Sequence, residues 1–208
     1  MKELIELKNW WLSNKSFWFD SNSNNDKIIT DKFAYLLEFD IKENSLNLEI
    51  NAGLGYIILN DQIIRHIART NNLSQEIISE KLNKIIPFVK IFYNFNKSKI
   101  CEYEFYFTLL PLRHTNIFDN QVFVANETWN KIEMLQKDEN YSKKLQIYKN
   151  YLKATYSRMN DKDVNKIDLS KIHYHNIHGK IEDFVKNFDD IIDSNSKSYI
   201  TNNNYSII

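Results

Sequence analysis

The stretch ILNDQIIRHIART, Ile58 to Thr70, runs through isoleucines that belong in a core, yet it carries Asp61, Gln62, Arg65, His66 and Arg69. On a helix Asp61, Arg65 and Arg69 are four apart and form one column, with Gln62 and His66 as a second column beside it. Two guanidiniums on one face offer planar donors suited to a carboxylate or a phosphate. The competing reading is that Asp61 pairs with Arg65 and the other donors meet acidic groups on neighbouring helices, because ion pairs four apart are common on helices. Further on, YEFYFTLLPLRHTNIFDNQ ends an aromatic-rich helix at Pro111 and sets Arg113 and His114 in a bend before the next helix. Histidine titrates close to working pH, so His114 is a candidate acid or base. A histidine in a loop is also a common surface or capping residue.

Helices must hold these groups. The spacing predicts a first helix from about Lys2 to Ser13, with Leu4, Leu7, Trp10 and Trp11 on one face. After a loop holding FWF, Ile29, Phe33, Leu36, Leu37 and Ile41 repeat with helical period from about Asp26. SLNLEI, at 45 to 50, reads as extended loop. The Asp61 helix is expected from about Gly53 to Thr70, followed by one from about Ser74 to Ile86 that Pro87 terminates. FVKIFYNF is ambiguous between strand and helix. A helix from about Phe118 to Lys137 puts Val122, Ala125, Trp129, Ile132 and Gln136 on one stripe. Tyr141, Leu145, Tyr148, Leu152, Tyr156 and Met159 then step by three and four, with Lys143, Lys149 and Lys153 turned away. A last apolar face runs through Ile181, Phe184, Val185, Phe188 and Ile191 or Ile192, between Gly179 and Asp193. The expected fold is all-α, seven or eight helices joined by short loops, in one domain over residues 1–193 with a frayed tail at 194–208.

Bulk properties narrow the function. Twenty-seven basic and 27 acidic residues among 208 give no global field toward nucleic acid or an anionic membrane, so any anion site must be local. The apolar runs fall short of the ~18 to 20 residues that span a bilayer, and MKELIELKNWW lacks the cleavage site of a signal peptide. A single cysteine, Cys101, makes no internal disulfide and favours a reducing, cytoplasmic setting; it reads as a small, partly buried residue rather than a nucleophile. With 3 Gly and 2 Pro there are few obligatory breaks. The Lys, Asn and Ile texture suggests an AT-rich genome, and the clusters SNSNND and TNNNY read as a loop and a frayed end. His173, His175 and His178 have a spacing that can bind zinc, but with no nearby cysteine and no fourth ligand they read as a solvated connector. No metal and no cofactor is expected. The tryptophan and tyrosine stripes read as core rather than as a base-stacking platform.

The combination of NWW and FWF near the start, ILNDQIIRHIAR in the middle and FYFTLLPLRHTNIFDNQ later resembles the domain of unknown function 924 family. Members of that family are all-helical, with a TPR-like arrangement. The family's Trp-Phe pair falls on Trp18 and Phe19. Its Asp-Gln-x-x-Arg-x-x-x-Arg helix falls on Asp61, Gln62, Arg65 and Arg69. Its Phe-x-x-x-Pro-Leu-x-His-Ser-Glu turn and following Gln fall on Phe107, Pro111, Leu112, His114, Thr115, Asn116 and Gln121. The resemblance covers roughly Trp10 to Tyr156. The chain departs from the pattern at Thr115 and Asn116, where the family has Ser-Glu, and at Ile64 and His66, where it has Pro and Asn. The family's closing Gly-Arg-Phe-Pro-His-Arg-Asn signature is absent. A divergent member is expected, and the resemblance implies that Asp61, Arg65, Arg69 and His114 converge in space.

Two functions follow as expectations. In the first, a small anionic ligand sits between the Asp61 helix and the His114 turn, held by Arg65 and Arg69; Asp61 and Gln62 orient the grip, Trp18 walls it, Gln121 adds a polar group, and His114 is a tentative acid or base. In the second, the chain is a non-enzymatic scaffold that binds a protein segment in a groove and whose site has decayed.

Overall fold

The apolar rhythm at the N-terminus produces helix α1 (Lys2–Ser13), with Leu4, Leu7 and Trp11 buried and Trp10 half-buried against the rings of Phe17 and Phe33. The computed structural model describes residues 1–18, 22–39, 41, 46, 48–135 and 142–160. The chain divides into two units, Met1–Thr115 and Asn116–Ile208, and every regular element among the described residues is helical. The histidine-rich 173–178 stretch, the helix expected over 179–193 and the tail from 194 lie outside the described residues.

In the first unit a short 3-10 turn (Lys15–Phe17) leads toward α2 (Ser23–Phe33), which runs on as a 3-10 turn (Ala34–Glu38). Helix α2 starts three residues before the expected Asp26. The Asn22 side chain accepts from the Asn24 amide at 2.8 Å, so the second half of SNSNND is a capped first turn rather than loop. Helix α3 (Ile50–Ile58), a π-turn (Leu59–Ile63) and α4 (Ile64–Asn71) follow one another without a break. Every residue from Ala52 to Ile64 is buried. A helix apolar on all sides has to be surrounded; here α1 packs on α3, α2 packs on α4, and α5 and α6 close the remaining sides.

Helix α5 (Gln75–Asn96) corrects the sequence reading. It passes through Pro87 and takes in the ambiguous FVKIFYNF segment. Proline removes the bond to the carbonyl four residues back, but Asn83 and Pro87 are both on the exposed side, where water can satisfy that carbonyl. On the other side Leu82, Ile85, Val89, Phe92 and Tyr93 are buried and keep the helix in one piece. Helix α6 (Glu102–His114) likewise continues past Pro111, so Arg113 and His114 form its last turn and the bend comes at Thr115 and Asn116. Cys101, expected to be partly buried, is exposed at the head of this helix, where its amide donates to the Glu104 carboxylate.

The second unit contains α7 (Phe118–Leu135) and α8 (Ser142–Asn160), packed on one another. Val122, Ala125, Trp129 and Ile132 meet Tyr148, Leu152, Tyr156 and Met159 as buried stripes, and the Trp129 indole donates to the Tyr156 hydroxyl at 2.9 Å. Lys149, expected to turn away from the stripe, is buried; its aliphatic stem packs as an apolar group does. Gln136 and Tyr141 lie outside the described residues.

The tightest crossing is between α1 and α3. A β-carbon at Gly55 would overlap the Leu4 carbonyl, a backbone group that cannot swing aside, whereas one at Gly53 would press on the Phe92 ring. Gly55→Ala is therefore expected to lower stability by about 3 kcal/mol or more, and Gly53→Ala by less, since a side chain can shift. Urea midpoints of the two variants measure the difference; equal losses would show that backbone contact does not set the crossing.

Candidate functional site

The π-turn buries three polar residues in succession, Asn60, Asp61 and Gln62, inside the central helix. Such turns recur at functional sites because the extra residue redirects side chains out of helical register. Asn60 resolves its own burial by donating to the Tyr56 carbonyl at 2.9 Å. Asp61, 1 % exposed, accepts three bonds: His114 Nδ1 at 2.7 Å and Arg65 Nη2 at 3.2 Å on Oδ1, and Gln62 Nε2 at 2.6 Å on Oδ2. Burial by itself raises the Asp61 pKa, but the His114 ring, Arg65 and Gln62 outweigh it and hold the carboxyl at about 2, against an ordinary 3.8. An ionised carboxylate only accepts, so His114 carries its proton on Nδ1. Burial pushes the His114 pKa down; Asp61 opposes this, while Arg65 and Arg113 add to it. The imidazole is neutral at pH 7, with the Nε2 lone pair as its basic atom. Arg113 in turn bonds the Tyr106 phenol, whose pKa burial raises.

Arg69 belongs to a second cluster. Helical steps of four advance by about 40° each, so the predicted column fans out: Arg65 returns to Asp61, whereas Arg69 reaches α2. There its Nε and Nη2 clasp Asp26 at 2.7 and 2.6 Å, and His66 Nδ1 lies 2.7 Å from the same carboxylate. Asp26 is buried; desolvation raises its pKa, but bonds from Arg69 and His66 bring it below the ordinary value. The structure thus brings Asp61, Gln62, Arg65 and His114 together, and places Arg69 one turn on with a different carboxylate. Trp18 is committed elsewhere, donating to the Trp11 carbonyl at 2.7 Å and packing on Tyr103 and Phe107. Gln121 is buried on α7 in the second unit.

Sequence spacing missed Asp26, which lies 40 residues from His66 and carries no local signal. It also missed the pair of buried Lys8 and half-buried Glu104, 2.7 Å apart, in which Lys8 also donates to Asn51 at 2.9 Å. Glu104 does have a local sign: it stands three residues after the N-cap Cys101, the spacing of a capping box.

A cleft of about 540 Å³ opens where α4 turns into α5, lined by Arg65, Ala68, Arg69, Asn72, Leu73, Gln75 and Ile78. The sequence places a pocket between the Asp61 helix and the His114 turn; this cleft has both arginines on its wall, while Asp61, Gln62, His114 and Trp18 are not among its lining residues.

A family model described as bacterial protein of unknown function (DUF924) matches residues 7–189. The chain belongs to this family. No curated protein and no solved structure matches it. The DUF924 match takes in the two clusters and the described helices of both units, α1 from residue 7 onward. Among the described residues of this DUF924 chain, no helix is long and apolar enough to cross a membrane, and no group of three or more His, Cys, Asp or Glu is arranged to hold a metal ion.

The buried carboxylate makes a testable demand on pH. The unfolded chain binds the Asp61 proton more tightly than the folded one, so the contribution of Asp61 to stability is whole above about pH 4 and is lost as pH falls toward about 2, a change of roughly 2 kcal/mol. Unfolding free energies between pH 2 and 5 should fall less steeply in Asp61→Asn than in the wild type. Parallel acid limbs would show that Asp61 does not carry this charge.

Proposed function

We propose that this protein binds a small anion in the cleft beside α4, with Arg65 and Arg69 as the grip. One observation carries the reading: among the described residues, Arg65 lines the cleft with only its Nη2 engaged, and its Nε has no hydrogen-bond partner. The Arg65 side chain is 29 % exposed and uses one nitrogen for Asp61, so an anion in the cleft can meet the donors that remain accessible. Each guanidinium is steadied by a buried aspartate, Asp61 behind Arg65 and Asp26 behind Arg69, which limits the side-chain freedom lost on binding. Gln62 and His114 act through Asp61: they hold the carboxylate that holds Arg65. The neutral His114 imidazole remains the candidate acid or base if the ligand is also turned over. A single cysteine fits an intracellular setting.

A thermal-shift screen with inorganic phosphate, acetate and larger phosphates and carboxylates tests this. A ligand at about 100 times its Kd adds ~2.7 kcal/mol, several degrees for a chain of this size. The expected result is a shift in the wild type that Arg65→Met loses while its helical circular dichroism is unchanged.

The second reading, a TPR-like helical scaffold for a protein segment, draws on Ile91 and Phe95, four apart on α5 and 58 % and 57 % exposed. Under it Arg65→Met melts earlier than the wild type, and neither responds to any anion.

A further inference from the structure

We infer that the ligand of the Arg65–Arg69 cleft is a singly charged aliphatic carboxylate, with its head on the arginines and its chain along Ala68, Leu73 and Ile78. The inference rests on the anion reading above and adds the class of ligand. Charge selects the head. Arg65 and Arg69 are each matched by an aspartate at 3.2 and 2.6 Å, so each guanidinium charge is already balanced inside the protein. A dianionic phosphate would leave two uncompensated charges beside Asp61 and Asp26, a carboxylate only one. The neutral side chains of Asn72 and Gln75, also on the wall, can add hydrogen bonds to such a head without adding charge.

Size and lining select the chain. About 540 Å³ is a small-molecule volume, whereas acetate or phosphate takes the room of a few waters of about 30 Å³ each. The remaining wall is apolar: Ala68 and Ile78 belong to a buried cluster with Ile64, and Leu73, half-buried, packs against it. Contact of an aliphatic chain with this wall adds affinity that the arginine grip alone does not supply. The bend that shapes it is fixed by Asn72, which ends α4 in a left-handed conformation at φ 52°.

Isothermal titration of the full chain with acetate, butanoate, hexanoate and octanoate, the last below its micellar range, tests the inference beside inorganic phosphate and octyl phosphate. Affinity should rise about three- to fourfold per added methylene, octanoate should bind more tightly than inorganic phosphate or octyl phosphate, and Arg65→Met should weaken every carboxylate. Leu73→Gln, at a half-buried position, should flatten the chain-length slope, weakening octanoate more than acetate. If acetate and octanoate bind alike, the aliphatic class is wrong and the anion grip stands. If either phosphate binds more tightly than octanoate, the singly charged head is wrong. If no carboxylate or phosphate binds, the grip itself is wrong and the class falls with it.

Discussion

Asp61 carries a charge in the middle of a helix that is buried along most of its length, and its neighbours are arranged around that charge. A lone carboxylate there would take up a proton or loosen its surroundings, because the cost of desolvating an unpaired ion is a large part of the stability margin of a typical domain. The π-turn brings Gln62 onto one oxygen, α6 brings His114 onto the other, and Arg65 returns from the next turn. The last turn of α6 is thereby tied to the centre of the fold through a hydrogen bond rather than only through apolar contact.

The same device appears a second time at the edge of the first unit. Asp26 on α2 takes Arg69 in a two-pronged grip and lies against His66, so α2 and α4 are joined by an ionic contact whose geometry fixes their register. Both arginines that reach the cleft are thus held by acids that do not line it. An arrangement of this kind trades affinity for orientation: each carboxylate lowers the field that an incoming anion feels, while it restrains the guanidinium that would meet it. The π-turn and the buried ions are costly features for a fold to keep, which is consistent with a role beyond packing.

Helix existence was legible from the sequence because burial on one side leaves a three-to-four periodicity that no tertiary detail is needed to read. Lys2–Ser13 came out to the residue, and the described residues of the α7 and α8 stripes are buried except for half-buried Leu145. Two prolines misled because the local rule that a proline ends a helix weighs a lost backbone bond and cannot weigh packing: α5 is held on the face opposite exposed Pro87, while Pro111 is itself buried in α6 with Phe107 and Leu110. Lys149 misled because lysine is read as solvated by its charge, although its stem can lie buried.

The sequence by itself determined the helical class and the buried run of isoleucines, since periodicity is a property of the chain; the resemblance grouped Asp61, Arg65, Arg69 and His114, and the structure keeps all of these but Arg69 in one cluster. Tertiary structure alone decided which acid each arginine meets and where the cleft lies. Asp26 reaches Arg69 across 43 positions, and Arg65 and Arg69 share a wall with Leu73 and Ile78 only because the chain reverses at Asn72. Contacts of that range depend on how whole helices cross, and helix crossing is set by the sum of packing over every face, not by the spacing along any one of them.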